Sequence, residues 1–179
     1  MDTRWKICAR VWACLVIVIL SGCGEEPISV VLTAHEEAAI YRAIFRHAGG
    51  IGRYAIHPET SHGYSGSEET LDCDWLQTRL IQEMPTIKPE IIPAFCAINS
   101  TTRPINPEVI TLLGLKVEGM PSETFTFLKL SSIQTDSKKT QALVCVDLQS
   151  GEFVTGSYLL LTYEDGLWKV LHEWQTYIS

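Results

Sequence analysis

Apolar positions repeat with a helical period in the first half of this chain and form strand-like runs in its last third. From Ala38 to Ala48 they recur every three or four residues, which is the spacing of one helix face. Thr33 and Glu36 have the spacing of a capping box, in which each side chain accepts a hydrogen bond from the other's backbone N–H. Two glycines follow the run directly, and glycine commonly ends a helix. The pattern predicts a helix over 34–48.

Shorter elements are predicted between this helix and the last third. Trp75, Leu76 and Leu80 share one side of a helical pattern, and Pro89 suits the first turn of another helix. We predict a strand over 53–57, helices over 75–84 and 89–98, and loops over 58–72 and 99–107.

The last third contains four runs rich in β-branched, aromatic and aliphatic residues, separated by turn-forming residues. Asp165-Gly166 between two such runs is a strong hairpin signal and predicts a positive φ at Gly166. Residues 142–146 (ALVCV) are apolar on both faces, which predicts a central strand. The predicted strands are 124–133, 141–148, 154–163 and 167–177.

These elements predict an α+β fold in which N-terminal helices pack on one face of a C-terminal four-stranded antiparallel meander. Helices come first along the chain and strands come last, so the two kinds of element form separate layers. The length and the apolar content are sufficient for one domain, which we place at 30–179.

The first 22 residues have the features of an export signal. Arg4, Lys6 and Arg10 form a basic start, and Val11–Leu20 is a run of ten uncharged residues. Ten helical residues span about 15 Å, roughly half of the hydrocarbon core of a bilayer, which suits a signal peptide and not a permanent membrane helix.

Leu20-Ser21-Gly22-Cys23 resembles the lipobox of bacterial lipoproteins. The resemblance implies cleavage between Gly22 and Cys23 and a diacylglycerol thioether on the Cys23 sulfur. It divides the chain into a signal peptide at 1–22, a lipidated tether at 23–29 and the domain that follows. Gly24, where an Asp often retains such proteins in the inner membrane, favours the outer membrane facing the periplasm. The alternatives are an ordinary secretory signal with a chance cysteine, or an uncleaved anchor helix.

The charge of the mature part excludes one class of partner. The chain holds 14 basic and 21 acidic residues, and removal of the leader leaves 11 and 20, a net charge near −9. Such a surface repels phosphate backbones and anionic headgroups. We therefore predict no nucleic acid partner, and membrane attachment through the lipid anchor alone. The protein partner is not specified.

Four short motifs follow one another in the last 50 residues or so. They are Ser131-Ser132-Ile133, Thr140-Gln141-Ala142-Leu143-Val144-Cys145-Val146, Gly156-Ser157-Tyr158-Leu159-Leu160 and Asp165-Gly166-Leu167-Trp168-Lys169-Val170. In these motifs the chain resembles an uncharacterised family of small bacterial proteins, and the resemblance extends weakly to residues 40–44. Members often carry a cysteine pair at the turn where this chain has Ser150. The resemblance implies a fold and no activity.

Candidate reactive groups are few, and each has a simpler explanation. A Cys145–His172 pair has the residue types of a nucleophile and base, but Cys145 lies in an apolar strand that favours an inert buried thiol. Aromatic residues of the last strand could line a pocket or belong to the core: Trp168, Trp174 and Tyr177. Possible metal ligands match no zinc spacing and favour a solvated loop: His57, His62, Asp72, Cys73 and Asp74. We predict no metal, no cofactor and no catalytic residue.

The cysteines of the mature part predict one bridge. Cys23 is consumed by lipid, which leaves three thiols and at least one unpaired. Cys145 suits a buried strand position, so we predict a Cys73–Cys96 disulfide in an oxidising compartment.

Two functional hypotheses follow. The first is a lipid-anchored cell-envelope protein with a binding or structural role and no enzymatic activity. The alternative is a small-molecule-binding or catalytic domain in which a helix closes a curved sheet, as in nuclear-transport-factor-2-like folds.

Overall fold

The structure, a computed structural model, describes residues 30–50, 55–61, 72–115, 126–150 and 153–178. The signal peptide and the tether proposed from the sequence lie outside the described residues. The helices are α1 Ala34–His47, α2 Cys73–Glu83, α3 Ile91–Ile98 and α4 Pro107–Leu113. The strands are β1 Ala55–Ile56, β2 Thr126–Leu130, β3 Gln134–Thr135, β4 Gln141–Ser150, β5 Phe153–Glu164 and β6 Leu167–Ile178. None of these helices is long and apolar enough to span a bilayer.

The described strands form one mixed sheet in the order β1-β2-β4-β5-β6, with β3 paired to β4 beside β2. β2, β4, β5 and β6 pair with one another in that order as antiparallel strands, β3 is antiparallel to β4, and β1 runs parallel to β2. The α+β class is confirmed, and residues 142–146 lie in the central strand as predicted. The sheet has six strands, however, not the four of the predicted meander.

Helices cover both faces of this sheet, so the prediction of one covered face was wrong. Ala142 and Val144 of β4 pack in the core with α1 and α4. Leu143 and Cys145 point the opposite way and pack in a second core with α2 and α3. A strand that is apolar on both faces needs apolar cover on both, because successive side chains alternate across the sheet.

The capping box of α1 is confirmed. The backbone N–H of Thr33 donates to Glu36 Oε2 at 2.8 Å, and the N–H of Glu36 donates to Thr33 Oγ1 at 3.3 Å. Ala38, Tyr41 and Phe45 are fully buried, at the helical spacing that the sequence showed. The capping box fixes where α1 starts, and the buried stripe fixes its rotation on the sheet.

The predicted strand 124–133 is broken at Ser131, a departure with a local cause. The Ser131 Oγ accepts a hydrogen bond from the Cys145 N–H at 2.8 Å, and the Ser131 N–H donates to the Cys145 carbonyl at 2.9 Å. The serine side chain thus replaces a backbone carbonyl in the ladder, and regular pairing resumes only at Gln134.

The segment after the predicted loop 99–107 is a helix that the sequence reading missed. Asn106 accepts a hydrogen bond from the Glu108 N–H at 2.9 Å, Pro107 occupies the first turn, and Gly114 ends α4 with φ 66°. This is the usual combination of helix start and stop residues. Val109 and Leu113 enter the α1 core.

The hairpin between β5 and β6 turns at Asp165-Gly166, as predicted. Asp165 has φ 53° and Gly166 has φ 79°, the two positive values of a type I′ turn. A Cβ at Gly166 would meet no atom within 4 Å, so a side chain there costs backbone strain and not a clash.

Gly166→Val is therefore expected to destabilise the protein by about 1 kcal/mol, because a β-branched residue rarely adopts positive φ. Thermal unfolding should show a melting temperature about 3 °C lower. Asp165→Asn is the matched control, since asparagine tolerates positive φ, and it should melt with the wild type. Equal melting of the valine variant would contradict the strain.

Candidate functional site

A solvent-open groove of about 570 Å³ lies between α1, the turn at 136–139 and the β5–β6 hairpin. This volume falls within the usual range for small-molecule sites. We call it the α1–hairpin groove. Its lining residues are Leu32, His35, Glu36, Ala39, Arg42, Arg46, Lys138, Lys139, Thr140, Tyr163, Gly166, Leu167 and Trp168.

One stripe of α1 forms the first wall of the groove. His35, Ala39, Arg42 and Arg46 are spaced by four, three and four residues, which places them on one helix face. The opposite stripe of α1 is held in the core, so the helix cannot rotate these residues away from the groove. The buried stripe of α1 thus holds the stripe that carries Arg42 and Arg46 towards the groove.

The second wall is the turn at 136–139, which is fixed by one buried carboxylate. Asp136 is 2% exposed and accepts hydrogen bonds from the backbone N–H groups of Thr140 at 2.6 Å and Gln141 at 2.7 Å. The Lys88 Nζ approaches its other oxygen at 2.5 Å. Burial by itself would raise the pKa of Asp136, but the hydrogen bonds from Lys88, Gln141 and Thr140 lower it to about 2. The ionised carboxylate orders the turn that carries Lys138 and Lys139.

The hairpin supplies the apolar part of the groove. The Tyr163 and Trp168 rings lie with centroids 5.3 Å apart at 51°. Trp168 is buried beneath Tyr163, which remains half exposed. Leu32, Ala39 and Leu167 complete this apolar surface.

The groove has an excess of positive charge. Among the described residues that line it, Glu36 is the one carboxylate, and Lys139 Nζ lies 2.6 Å from its Oε1. The hydrogen bond from Lys139, with those from Thr33, lowers the pKa of Glu36 to about 2. Arg42 donates to the Leu112 carbonyl at 2.6 Å.

Two cationic groups of the groove keep N–H donors that no described residue uses. Among the residues that the structure describes, the Arg46 side chain hydrogen-bonds only with the Arg42 carbonyl, to which its Nε donates at 3.2 Å. Lys138 is exposed and makes no hydrogen bond or ion pair with any residue that the structure describes. The Lys169 Nζ, at the nearby turn, lies 3.7 Å from carboxylate oxygens of both Glu164 and Asp165. These two carboxylates are therefore paired with Lys169 and not with Arg46 or Lys138.

The possible metal ligands do not assemble into a site in the described part of the chain, where no three His, Cys, Asp or Glu side chains converge. His57 accepts a hydrogen bond from the Glu59 N–H at 3.2 Å, and Asp72 caps α2 through the Trp75 N–H at 3.0 Å. His62 lies outside the described residues.

Cys145 and His172 do not form a nucleophile–base pair. They lie in β4 and β6, with β5 between them. Burial, together with the nearby Asp147 carboxylate, raises the pKa of the Cys145 thiol, and the His172 Nε2 lies 3.1 Å from the Thr86 Oγ1. The structure therefore agrees with a buried thiol in an apolar strand.

The three aromatic residues of the last strand separate. Trp168 lines the groove, whereas Trp174 lies on the opposite sheet face and stacks on Tyr158 with centroids 5.5 Å apart. The Tyr177 side chain lies outside the description. Of the two whose side chains the structure describes, Trp168 lines a pocket and Trp174 packs against the second core.

The sequence analysis missed the basic stripe of α1. Its signal was present, because Arg42 and Arg46 fall on the same helix face as His35 and Ala39. Nothing local in the sequence, however, indicates that the turn at 136–139 and the hairpin meet this face, more than ninety residues away.

Comparison of the chain with protein-family models, curated proteins and solved structures found no match. Functional conclusions therefore depend on the groove and on the N-terminal sequence. The alternative hypothesis, a small-molecule-binding or catalytic cone in which a helix closes a curved antiparallel sheet, stays a prediction. In the described residues the sheet carries helices on both faces.

Proposed function

We propose that this chain is a lipid-anchored cell-envelope protein that binds a small anionic ligand with an apolar body in the α1–hairpin groove, without catalysing a reaction. The observation that carries the proposal is the charge of the groove. Four Lys and Arg side chains of the described part of the chain line it, although the mature chain has only 11 such residues and a net charge near −9.

The distribution of charge favours a ligand anion. Acidic residues outnumber basic ones elsewhere on the mature chain, so a cluster of cations focuses a positive potential at this one cavity. Arg46 and Lys138 line the groove from opposite walls, and each keeps N–H donors that no described residue uses. Guanidinium and ammonium groups that flank a gap suit a carboxylate, sulfonate or phosphate group.

The apolar surface of the groove favours an alkyl or aryl body beside that anionic group. Tyr163, Trp168 and Leu167 lie next to the cationic walls, so one ligand contacts both kinds of surface. Burial of apolar ligand surface there contributes roughly 25 cal/mol per Å². A purely inorganic anion gains only the charge contacts and binds more weakly.

Binding is favoured over catalysis by the chemistry of the lining residues. The Thr140 hydroxyl donates to Asp136 at 2.9 Å and accepts from Lys88 at 2.6 Å, so it is held by the turn. The Glu36 carboxylate is occupied by Lys139 and the helix cap. Neither pairs with a base in the arrangement that nucleophilic catalysis needs.

The anchor proposed from the sequence would keep the groove close to the bilayer. The described chain begins at Val30, and Leu32 lines the groove. The tether at 23–29 spans at most about 25 Å when fully extended. A ligand that partitions near a membrane surface would therefore meet the groove at a raised local concentration.

Octyl compounds with different head groups test the ligand class. Isothermal titration of the soluble domain is expected to show octyl phosphate binding with one site, at least about tenfold tighter than octanol, because each charge-assisted hydrogen bond adds 1 kcal/mol or more. Octylammonium should bind more weakly than octanol, and added salt should weaken the phosphate alone. Equal affinities for the three head groups, or no binding by any of them, would contradict the proposal.

A further inference from the structure

Cys73 and Cys96 meet between two helices on the face of the sheet opposite the groove. Cys73 is the first residue of α2, and Cys96 lies in the last turn of α3. Both residues pack against the same apolar cluster, and the Cys73 thiol lies close enough to Cys96 to raise the pKa of the Cys96 thiol. The two cysteines therefore lie near each other, which the sequence could not show, and both are in the reduced state in the structure.

The two thiols differ in access to solvent. Cys96 is 6% exposed, and Cys73 is half-buried. Burial raises the pKa of the Cys96 thiol, and the neighbouring Cys73, Asp74 and Asp72 raise it further. An external reagent therefore reaches the Cys73 sulfur first. The more buried Cys96 sulfur then reacts with Cys73.

We propose that Cys73 and Cys96 form a disulfide that joins the start of α2 to the end of α3 in the mature protein. The location in an oxidising compartment rests on the export proposed above, whereas the pairing rests on the contact alone. The Cys73 thiolate attacks the disulfide of an exchange partner, the oxidised form of a thiol–disulfide oxidoreductase, and displaces one of its thiolates. Cys96 then loses its proton and attacks the Cys73 sulfur of this mixed disulfide. The partner leaves as a dithiol that carries the two electrons, and two protons have left the chain.

The bridge has a structural purpose that the packing indicates. α2 contributes only Leu76 and Leu80 of its own residues to the fully buried core. The helix also carries Trp75, which is 44% exposed and lies against Trp174 with centroids 5.8 Å apart. A covalent bond at its first residue holds a helix whose apolar contacts are few.

Peptide mapping tests the pairing, because trypsin separates the three cysteines onto peptides 54–79, 80–116 and 140–169. The full chain is exported in cells and its reduced thiols are alkylated with N-ethylmaleimide. The protein is then unfolded and digested without reductant. We expect peptides 54–79 and 80–116 linked, lighter than their reduced sum by two hydrogens, with Cys145 alkylated. Alkylation of both Cys73 and Cys96, or a link that includes Cys145, would overturn the proposal.

A second arm separates the bridge from the export. Purified reduced protein is treated with oxidised glutathione, which supplies the oxidant without any cell compartment. The same linked pair is expected, and its absence overturns the pairing. A link formed with glutathione but not in cells would support the pairing and contradict the proposed export.

Variants connect the bond to stability. A reductant should lower the melting temperature of the oxidised wild type by roughly 10 °C, since closure of a loop of this length constrains the unfolded chain. Cys73→Ser should lose this response, and Cys145→Ala, the matched control, should keep it. A response that persists in Cys73→Ser would overturn the assignment.

Discussion

Cys23→Ala is expected to abolish incorporation of radiolabelled palmitate into this chain and to release the domain from the membrane fraction. The thioether needs the sulfur of that residue, and two or three acyl chains hold a protein far more firmly than one does. The effect is all-or-none, because alanine offers no atom to which the lipid can be attached.

The control for this experiment is Cys14→Ala, which removes a cysteine of the leader and leaves the apolar run intact. It should label and fractionate as the wild type does. Equal labelling of Cys23→Ala and wild type would contradict lipidation at this residue. A domain that stays in the membrane fraction without label would favour the uncleaved anchor helix.

Asp136→Ala is expected to lower the free energy of unfolding by roughly 3 kcal/mol. The substitution leaves two backbone N–H groups without their acceptor and deprives Lys88 of its counter-ion. Because Lys88 is 35% exposed and can be rehydrated, we place the loss at the lower end of the range for broken buried pairs.

Chemical denaturation should show this as a lower midpoint with an unchanged slope. Glu90→Ala is the matched control, since Glu90 is exposed and caps α3 with no side-chain hydrogen bond. It should unfold within about 0.5 kcal/mol of the wild type. Equal midpoints for Asp136→Ala and Glu90→Ala would show that the buried carboxylate does not hold the turn.

The same carboxylate predicts the response to acid. The pKa of Asp136 falls from its ordinary 3.8 to about 2 in the folded protein. Its contribution, about 2 kcal/mol, is therefore complete above roughly pH 4 and is lost as the pH falls towards 2. Asp136→Asn should flatten this part of the stability profile.

Local signals in the sequence were reliable wherever a short segment determines its own conformation. Thr33 with Glu36 and Asp165 with Gly166 each define a cap or a turn within four residues, and both are found as predicted. Asn106, Pro107 and Gly114 carried an equally local signal for α4 that was overlooked.

Features that depend on packing between distant segments of the chain were harder to predict from the sequence. The apolar run at 142–146 showed that both faces of β4 are buried, but not which helices cover each face. The break at Ser131 depends on a hydrogen bond from Cys145, fourteen residues later. The groove likewise needs Arg46 and Lys138 from distant parts of the chain, and their meeting follows only from the assembled sheet.

The affinity of octyl phosphate for two lysine variants tests the central claim most directly. Lys138→Gln removes a positive charge from the groove, and Lys129→Gln removes one from β2, outside the groove, so both variants have the same net charge. The account predicts a dissociation constant raised about tenfold by Lys138→Gln. It predicts a change of less than about twofold for Lys129→Gln, because that charge acts only at long range through solvent. Equal changes in the two variants, or no change in either, would contradict binding in the α1–hairpin groove.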